Sequence, residues 1–285
     1  MASTFILENT PDNFSKKYHH LRKIGKGGCS TVYAGVRIAD SLQVAIKFIK
    51  RANKGCENDV PGEVSMMLQA GGTPDLVRQS PVVSLLEWFI FDHLLILVME
   101  RPKNSMDLND FISSFGSCQE KHMAKILIKQ LLEAVIHIHS RGVVHRDLKS
   151  ENILIQFDSA FPRIRIIDFG CSTVVQTAPY QEFVGTEEFR PPECCRKKEY
   201  TAEALTVWQV GAILYQMLHG YRLYTSLFLT GILRINRKLP KACREFLKSC
   251  LAKDPKKRAT LQQLKAHPWL NPPVARVFET EMQNC

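Results

Sequence analysis

The sequence predicts an α+β protein built in two parts, a strand-rich first third followed by a mainly helical remainder. Three observations carry this. Residues 21–99 favour β-branched residues in short runs, the apolar residues from Met123 onward recur at helical spacing, and 285 residues exceed what one core usually needs. Two lobes are therefore expected.

In chain order, strands are predicted over 31–36 and 43–49. Glu63 to Ala70 is helix-forming, with Pro61 before it and Gly71, Gly72 and Pro74 to end it. The apolar run over 82–99 approaches a membrane-spanning length, but Glu87, Asp92 and His93 interrupt it, so it reads as two strands joined at Asp92-His93. Past Arg101-Pro102, residues Met123, Ile126, Leu127, Gln130, Leu131, Ala134, Val135 and Ile138 recur at helical spacing, closed by Gly142. The apolar run over 204–218 is too short to span a bilayer and reads as a buried helix. A polar tail is expected from Asn271-Pro272-Pro273.

Composition is that of a globular chain, 45% hydrophobic and 23% charged. The first twenty residues lack a secretory pattern, and nine cysteines without metal-ligand spacing read as reduced thiols, so a cytoplasmic or nuclear protein without membrane insertion is expected. The net charge of +10 is spread over short groups such as Lys16-Lys17 and Arg196-Lys197-Lys198 without interleaved aromatics, which argues for solvated surface and against specific nucleic-acid binding.

Gly25, Gly27 and Gly28 lie between two predicted strands, where glycine lets backbone N–H groups approach phosphate oxygens; a ligand-free hairpin turn explains the run equally well. Thr31-Val32-Tyr33 continues as strand, which disfavours a dinucleotide fold. Lys47 sits in the apolar strand Val44-Ala45-Ile46-Lys47 and needs a partner, for which Glu63 is the candidate; an exposed lysine on an edge strand is the alternative. The segment His145-Arg146-Asp147-Leu148-Lys149-Ser150-Glu151-Asn152, followed by Asp168-Phe169-Gly170, decides between these readings. Phosphoryl transfer needs a carboxylate beside the attacking hydroxyl, here Asp147, and oxygen ligands for Mg²⁺, here Asn152 and Asp168.

With these motifs in order, the sequence resembles the eukaryotic protein kinase superfamily over residues 18–270. The resemblance implies a bilobal kinase fold: an N-terminal tail at 1–17, N-lobe at 18–99, hinge at 100–104, C-lobe at 105–272 and C-terminal tail at 273–285. It implies ATP and Mg²⁺ as cofactors, protein serine or threonine hydroxyls as acceptors, and a monomer. Lys149 is implied to contact the γ-phosphate, and lysine there is the serine/threonine pattern. Val32, Ala45 and Leu154 are similar to the residues that enclose adenine, Met99 stands at the gatekeeper position, and Met67, His145 and Phe169 resemble the stack between the lobes. Pro191-Pro192-Glu193 resembles the A-P-E element, with Arg258 as its ion-pair partner.

The hinge Glu100-Arg101-Pro102, the spacing of Asp107 and Asp110, Glu151, the P-P-E element and His267-Pro268-Trp269 together resemble the Pim family. Pro102 has no N–H to offer adenine, which leaves one hinge bond, to the Glu100 carbonyl. The resemblance implies basic substrates, with Asp107, Asp110 and Glu151 receiving arginines by carboxylate–guanidinium pairing. Ser150 replaces a familiar acid, so weaker arginine dependence is expected. Thr206 stands where an αF aspartate usually braces the catalytic loop, and Arg146 is expected beside Glu187 or Glu188, giving activity without phosphorylation. A pseudokinase scaffold of the same fold is the competing reading, with a basic nucleic-acid-binding module behind it.

Overall fold

The computed structural model describes residues 11–28, 30–51, 60–77, 79–91, 93–115, 121–158, 161–197 and 199–272. Cys29 of the glycine-rich segment, Asp92 of the expected turn, Lys198 and the tail beyond Pro272 lie outside them. In order the elements are α1 (Pro11–Lys17), β1 (Tyr18–Lys26), β2 (Ser30–Arg37), β3 (Gln43–Lys50), α2 (Gly62–Gln69), β4 (Leu85–Phe91), β5 (Leu94–Glu100), β6 (Ser105–Asp107), α3 (Leu108–Phe115) and α4 (Lys121–Ser140). There follow β7 (Val143–Val144), β8 (Ile153–Gln156), β9 (Arg163–Ile166), β10 (Thr173–Val174), α5 (Pro192–Lys197), α6 (Ala202–His219), α7 (Thr225–Leu229), α8 (Lys241–Cys250) and α9 (Leu261–Lys265). The chain divides into two compact units. One comprises Met1–Met106, Ile138–Val143 and Leu154–Val174, the other Asp107–His137, Val144–Ile153 and Val175–Cys285.

The first unit is organised by an antiparallel sheet of order β1-β2-β3-β5-β4. Alternation along β3 places Val44 and Ile46 in a core with Phe14, Tyr18, Phe89, Ile96 and Val98, and sends Ala45 and Lys47 to the opposite face. Phe14 belongs to α1, within the stretch assigned to an N-terminal tail, and its ring packs 5.4 Å from Phe89. The expected pair of strands over 82–99 is β4 and β5, paired from Leu85↔Met99 to Phe91↔Leu94 with the register shifted by one residue between Leu85 and Glu87. Gly72 ends the α2 region with no room for a side chain, since a Cβ there would lie 2.7 Å from the Val83 carbonyl. The β9 strand is tied to the same unit through Ile166, whose N–H donates to Pro81 O at 2.7 Å and whose carbonyl accepts from Val83 N–H at 3.1 Å.

The second unit is helical and centres on α6, where the residues from Leu205 to Met217 are all buried. Such a helix has no polar face to turn toward water and is held by packing on every side. It stops at Gly220, whose φ of +80° is the left-handed end that glycine adopts without a Cβ penalty. No helix among the described residues is long and apolar enough to cross a membrane.

Candidate active site

In the first unit Lys47 is buried and ion-paired twice, 2.6 Å from Glu63 Oε1 and 2.8 Å from Asp168 Oδ1. Glu63 stands in the first turn of α2, and Asp168 follows β9 by two residues with φ at +64°, a left-handed value that costs energy outside glycine. Burial acts to lower the Lys47 ammonium but is outweighed by the Glu63 and Asp168 charges, so it is raised and remains cationic. Burial pushes the Glu63 carboxyl up against the pull of Lys47. Gly170 N–H donates to Asp168 Oδ1 at 3.3 Å, and a Cβ at Gly170 would crowd the Glu63 and Asp168 oxygens at 3.3 Å.

Gly25 and Gly28 flank the β1–β2 turn, closed by Gly27 N–H donating to Ser30 O at 2.8 Å. A Cβ at Gly28 would meet nothing within 4 Å and one at Gly25 only ordinary contacts to Val32, so the protein's own packing does not demand glycine there. Val32 faces Lys47 in register across β2 and β3, with Ala45 opposite Ala34; Val32, Ala45 and Leu154 are all partly buried. Glu100 ends β5 with its carboxylate turned inward, accepting from Ser84 N–H at 2.8 Å and ion-paired with the buried Arg165. Met67 and Phe169 are fully buried.

In the second unit Asp147 Oδ1 accepts from Thr186 N–H at 2.7 Å, and Oδ2 lies 2.9 Å from Lys149 Nζ. Lys149 also donates to Thr186 Oγ1 at 2.7 Å. Burial acts to raise the Asp147 carboxyl, but the hydrogen bonds from Thr186 and Lys149 outweigh it and the net shift is downward. Asn152 Nδ2 donates to the Asp147 carbonyl at 2.8 Å, which fixes the amide and leaves its oxygen as the group suited to a cation. Gly185 makes this arrangement possible: with φ at +136°, it approaches so closely that a Cβ would lie 2.6 Å from Arg146 O.

Two residues here escaped the sequence reading. Thr186 caps the Asp147 carboxylate, and Gln209 braces the loop that carries it. Gln209 Nε2 donates to Arg146 O at 2.7 Å and Oε1 accepts from Leu148 N–H at 3.4 Å, one contact on each side of Asp147. Thr206, at the position of the usual brace, instead donates to Ala202 O within its own helix at 3.0 Å. The legible signal for Gln209 was an amide in the middle of an apolar helix, which must find partners.

Glu193 and Arg258 form a bidentate pair at 2.7 and 2.9 Å, and Arg258 also donates to the Ala204 and Ala252 carbonyls. Arg146, expected beside Glu187 or Glu188, places its guanidinium 5.9 Å from the Tyr180 ring centre, while Glu187 pairs with Arg190 at 2.9 Å. Asp107 Oδ1 caps α3 by accepting from Asp110 N–H at 2.8 Å. Burial, then the charges of Asp110 and Glu151, raise the Asp107 carboxyl. Glu151 is ion-paired with Arg222. Ser150 is fully buried, with its hydroxyl 2.9 Å from both Glu151 Oε2 and Gln216 Oε1, so position 150 does not contribute to an acidic surface in this chain.

The pattern of the protein kinase domain matches residues 18–270. Serine/threonine-protein kinase pim-2 of Danio rerio is 35% identical over 276 residues, covering 92% of this chain and 87% of that protein. Serine/threonine-protein kinase prk-2 of Caenorhabditis elegans is 32% identical over 268 residues, covering 90% of this chain and 59% of the relative, and sperm motility kinase 2B of Mus musculus is 31% identical over 270 residues, covering 91% and 53%. The chain thus spans little more than half the length of the last two. With Lys47, Asp147, Asn152 and Asp168 set as above, it belongs to the protein kinase family as an ATP-dependent serine/threonine kinase.

Proposed function

We propose that this kinase acts on serine or threonine hydroxyls in substrates that carry arginine N-terminal to the acceptor. The observation that supports the preference is the grouping of three carboxylates in a chain whose net charge is +10: Asp110 N–H donates to Asp107 Oδ1 at 2.8 Å, and Gln216 links Asn109, beside them, to Ser150, beside Glu151, at 3.2 and 2.9 Å. Screening over about 8 to 10 Å confines the opposing charge, so these local acids dominate for a bound peptide. A carboxylate accepts a guanidinium through two parallel hydrogen bonds, a fit that an ammonium cannot reproduce.

On this reading, Lys47 is aimed by Glu63 at the ATP phosphates, and the backbone N–H groups around Gly25, Gly27 and Gly28 cover them. The room around Gly28 suits a close outside partner. Val32, Ala45 and Leu154 enclose adenine, and Glu100 offers its backbone carbonyl, since its carboxylate is taken by Ser84 and Arg165. Asp168 offers a carboxylate and Asn152 an amide oxygen as Mg²⁺ ligands; the bound cation would neutralise charge on the transferring phosphoryl group. Asp147, held ionised by Thr186 and Lys149, orients the acceptor hydroxyl and takes its proton, while Lys149 steadies the γ-phosphate.

The test is a peptide-library phosphorylation assay with Mg²⁺-ATP on the wild-type chain and on Lys47→Met. Wild type is expected to favour upstream arginine, and the variant to lose about a hundredfold or more in kcat/KM. Equal turnover with and without upstream arginine overturns the preference. Equal activity of the two proteins overturns the role of Lys47, and no turnover by either returns the chain to the scaffold reading.

A further inference from the structure

Arg222 has no part in the chemistry above. It lies in the loop after α6, two residues beyond the helix-ending Gly220 and next to the fully buried Leu223, so the backbone that carries it is fixed from both sides. Its guanidinium is ion-paired with Glu151, and the two side chains are 32% and 31% exposed. The other Glu151 oxygen is 2.9 Å from the Ser150 hydroxyl, and the charge of Glu151 is felt at Asp107. The protein thus already holds a guanidinium on one of the acids that would receive a substrate arginine.

We propose that Arg222 is a specificity-determining residue that occupies Glu151 and competes with substrate arginine for it. This rests on the arginine-directed reading of Asp107, Asp110 and Glu151. A peptide arginine that reaches Glu151 replaces one charge-assisted contact with another, so the exchange gains little. Arg222 is tethered and therefore present at high effective concentration, which favours the internal contact further. Arginine preference at the substrate position read by Glu151 is accordingly suppressed, while positions read by Asp107 and Asp110 keep theirs. The expected weakness of arginine selection then comes from the base at 222, which holds Glu151, while the Ser150 side chain is buried.

The experiment compares kcat/KM for peptide pairs that differ only by arginine or alanine at one upstream position, in the full chain and in Arg222→Gln, Glu151→Gln and the double variant. For one upstream position, Arg222→Gln is expected to raise the arginine/alanine ratio about fivefold, the size of a partly exposed charge-assisted contact. That rise should vanish in the Glu151→Gln background. If Arg222→Gln leaves every ratio within about twofold of wild type while Asp107→Asn or Asp110→Asn lowers one, the competition is overturned and the arginine-directed reading stands. If none of the substitutions moves any ratio, the arginine-directed reading itself fails. A fall in both peptides by the same factor marks Arg222 as a purely structural loop anchor, which also overturns the proposal. Should Arg222→Gln not fold, Arg222→Lys keeps the charge but loses the fork, and a rise of about twofold at the same position is expected of it.

Discussion

Replacing Gln209 by leucine removes a side chain that touches the backbone on both sides of Asp147 without touching Asp147 itself. The substitution breaks the 2.7 Å bond to Arg146 O and the weaker 3.4 Å bond from Leu148 N–H, in a setting where Gln209 is 1% exposed. Leaving a buried carbonyl without its donor costs about 1–3 kcal/mol, and the longer bond adds a fraction of that, so a loss of about 2–3 kcal/mol in stability is expected. For a chain of this length that corresponds to about 4–12 °C in Tm. Because the freed segment carries Asp147, the base proposed above, kcat is expected to fall about 10- to 100-fold through lost alignment. KM for ATP should change by less than about threefold, since Lys47, Glu63 and Asp168 keep their contacts. Gln209→Glu preserves an acceptor for Leu148 N–H but cannot donate to Arg146 O, and should resemble the leucine variant if the shorter bond is the one that matters. Steady-state kinetics beside a thermal melt decide the matter. A lowered Tm with kcat within about twofold of wild type would refute the positioning argument, because the brace would then serve stability alone.

Arg258→Ala strips Glu193 of its bidentate partner in a place where the two side chains are 4% and 1% exposed, and should cost about 3–5 kcal/mol; a double Glu193→Gln, Arg258→Met variant should be less damaged than the single one by thermal melt. His139 is held neutral by burial, with its pKa lowered to about 4. The unfolded chain therefore takes up that proton first, and stability should fall as pH drops from about 6.5 toward 4, by up to about 3 kcal/mol; His139→Gln should flatten this limb of a Tm–pH profile. Thr186 and Lys149 hold Asp147 ionised and the Arg146 guanidinium lies over Tyr180, so phosphatase treatment should leave kcat/KM within about twofold of that of the untreated enzyme.

The elements legible in the sequence were those whose signal is local. The alternation through Val44 and Ile46, the Pro61 start and Gly72 stop of α2, and the unbroken apolar run of α6 each depend on neighbours a few residues away. Lys47 was legible as a buried cation in need of an anion, and Glu63 as one; the second anion, Asp168, was identified only as a metal ligand because 121 residues separate it from the lysine. Gln209, Thr186, Arg165 and Arg222 were not read, because each acts on a segment far along the chain and none belongs to a motif of fixed spacing. Ser150 counts in the sequence as a lost acid of the arginine-receiving surface because a family acid usually stands there, yet the short turn at 150–152 buries its side chain completely while leaving that of Glu151 partly exposed.

The first unit is assembled from three separated stretches of chain, and this bears on the order in which it can be made during synthesis. Residues 1–106 include the whole five-stranded sheet but not Arg165, the partner of the buried Glu100 carboxylate, nor the Ile166 backbone that ties down Pro81 and Val83. Until the ribosome has released a further segment ending near Val174, the sheet carries a buried acid without its base, and the backbone at Pro81 and Val83 lacks its Ile166 partner. A nascent chain exposed only to residue 106 should therefore remain dependent on chaperones and sensitive to protease, and gain protection once β9 emerges, before the Val175–Cys285 part of the second unit has left the ribosome.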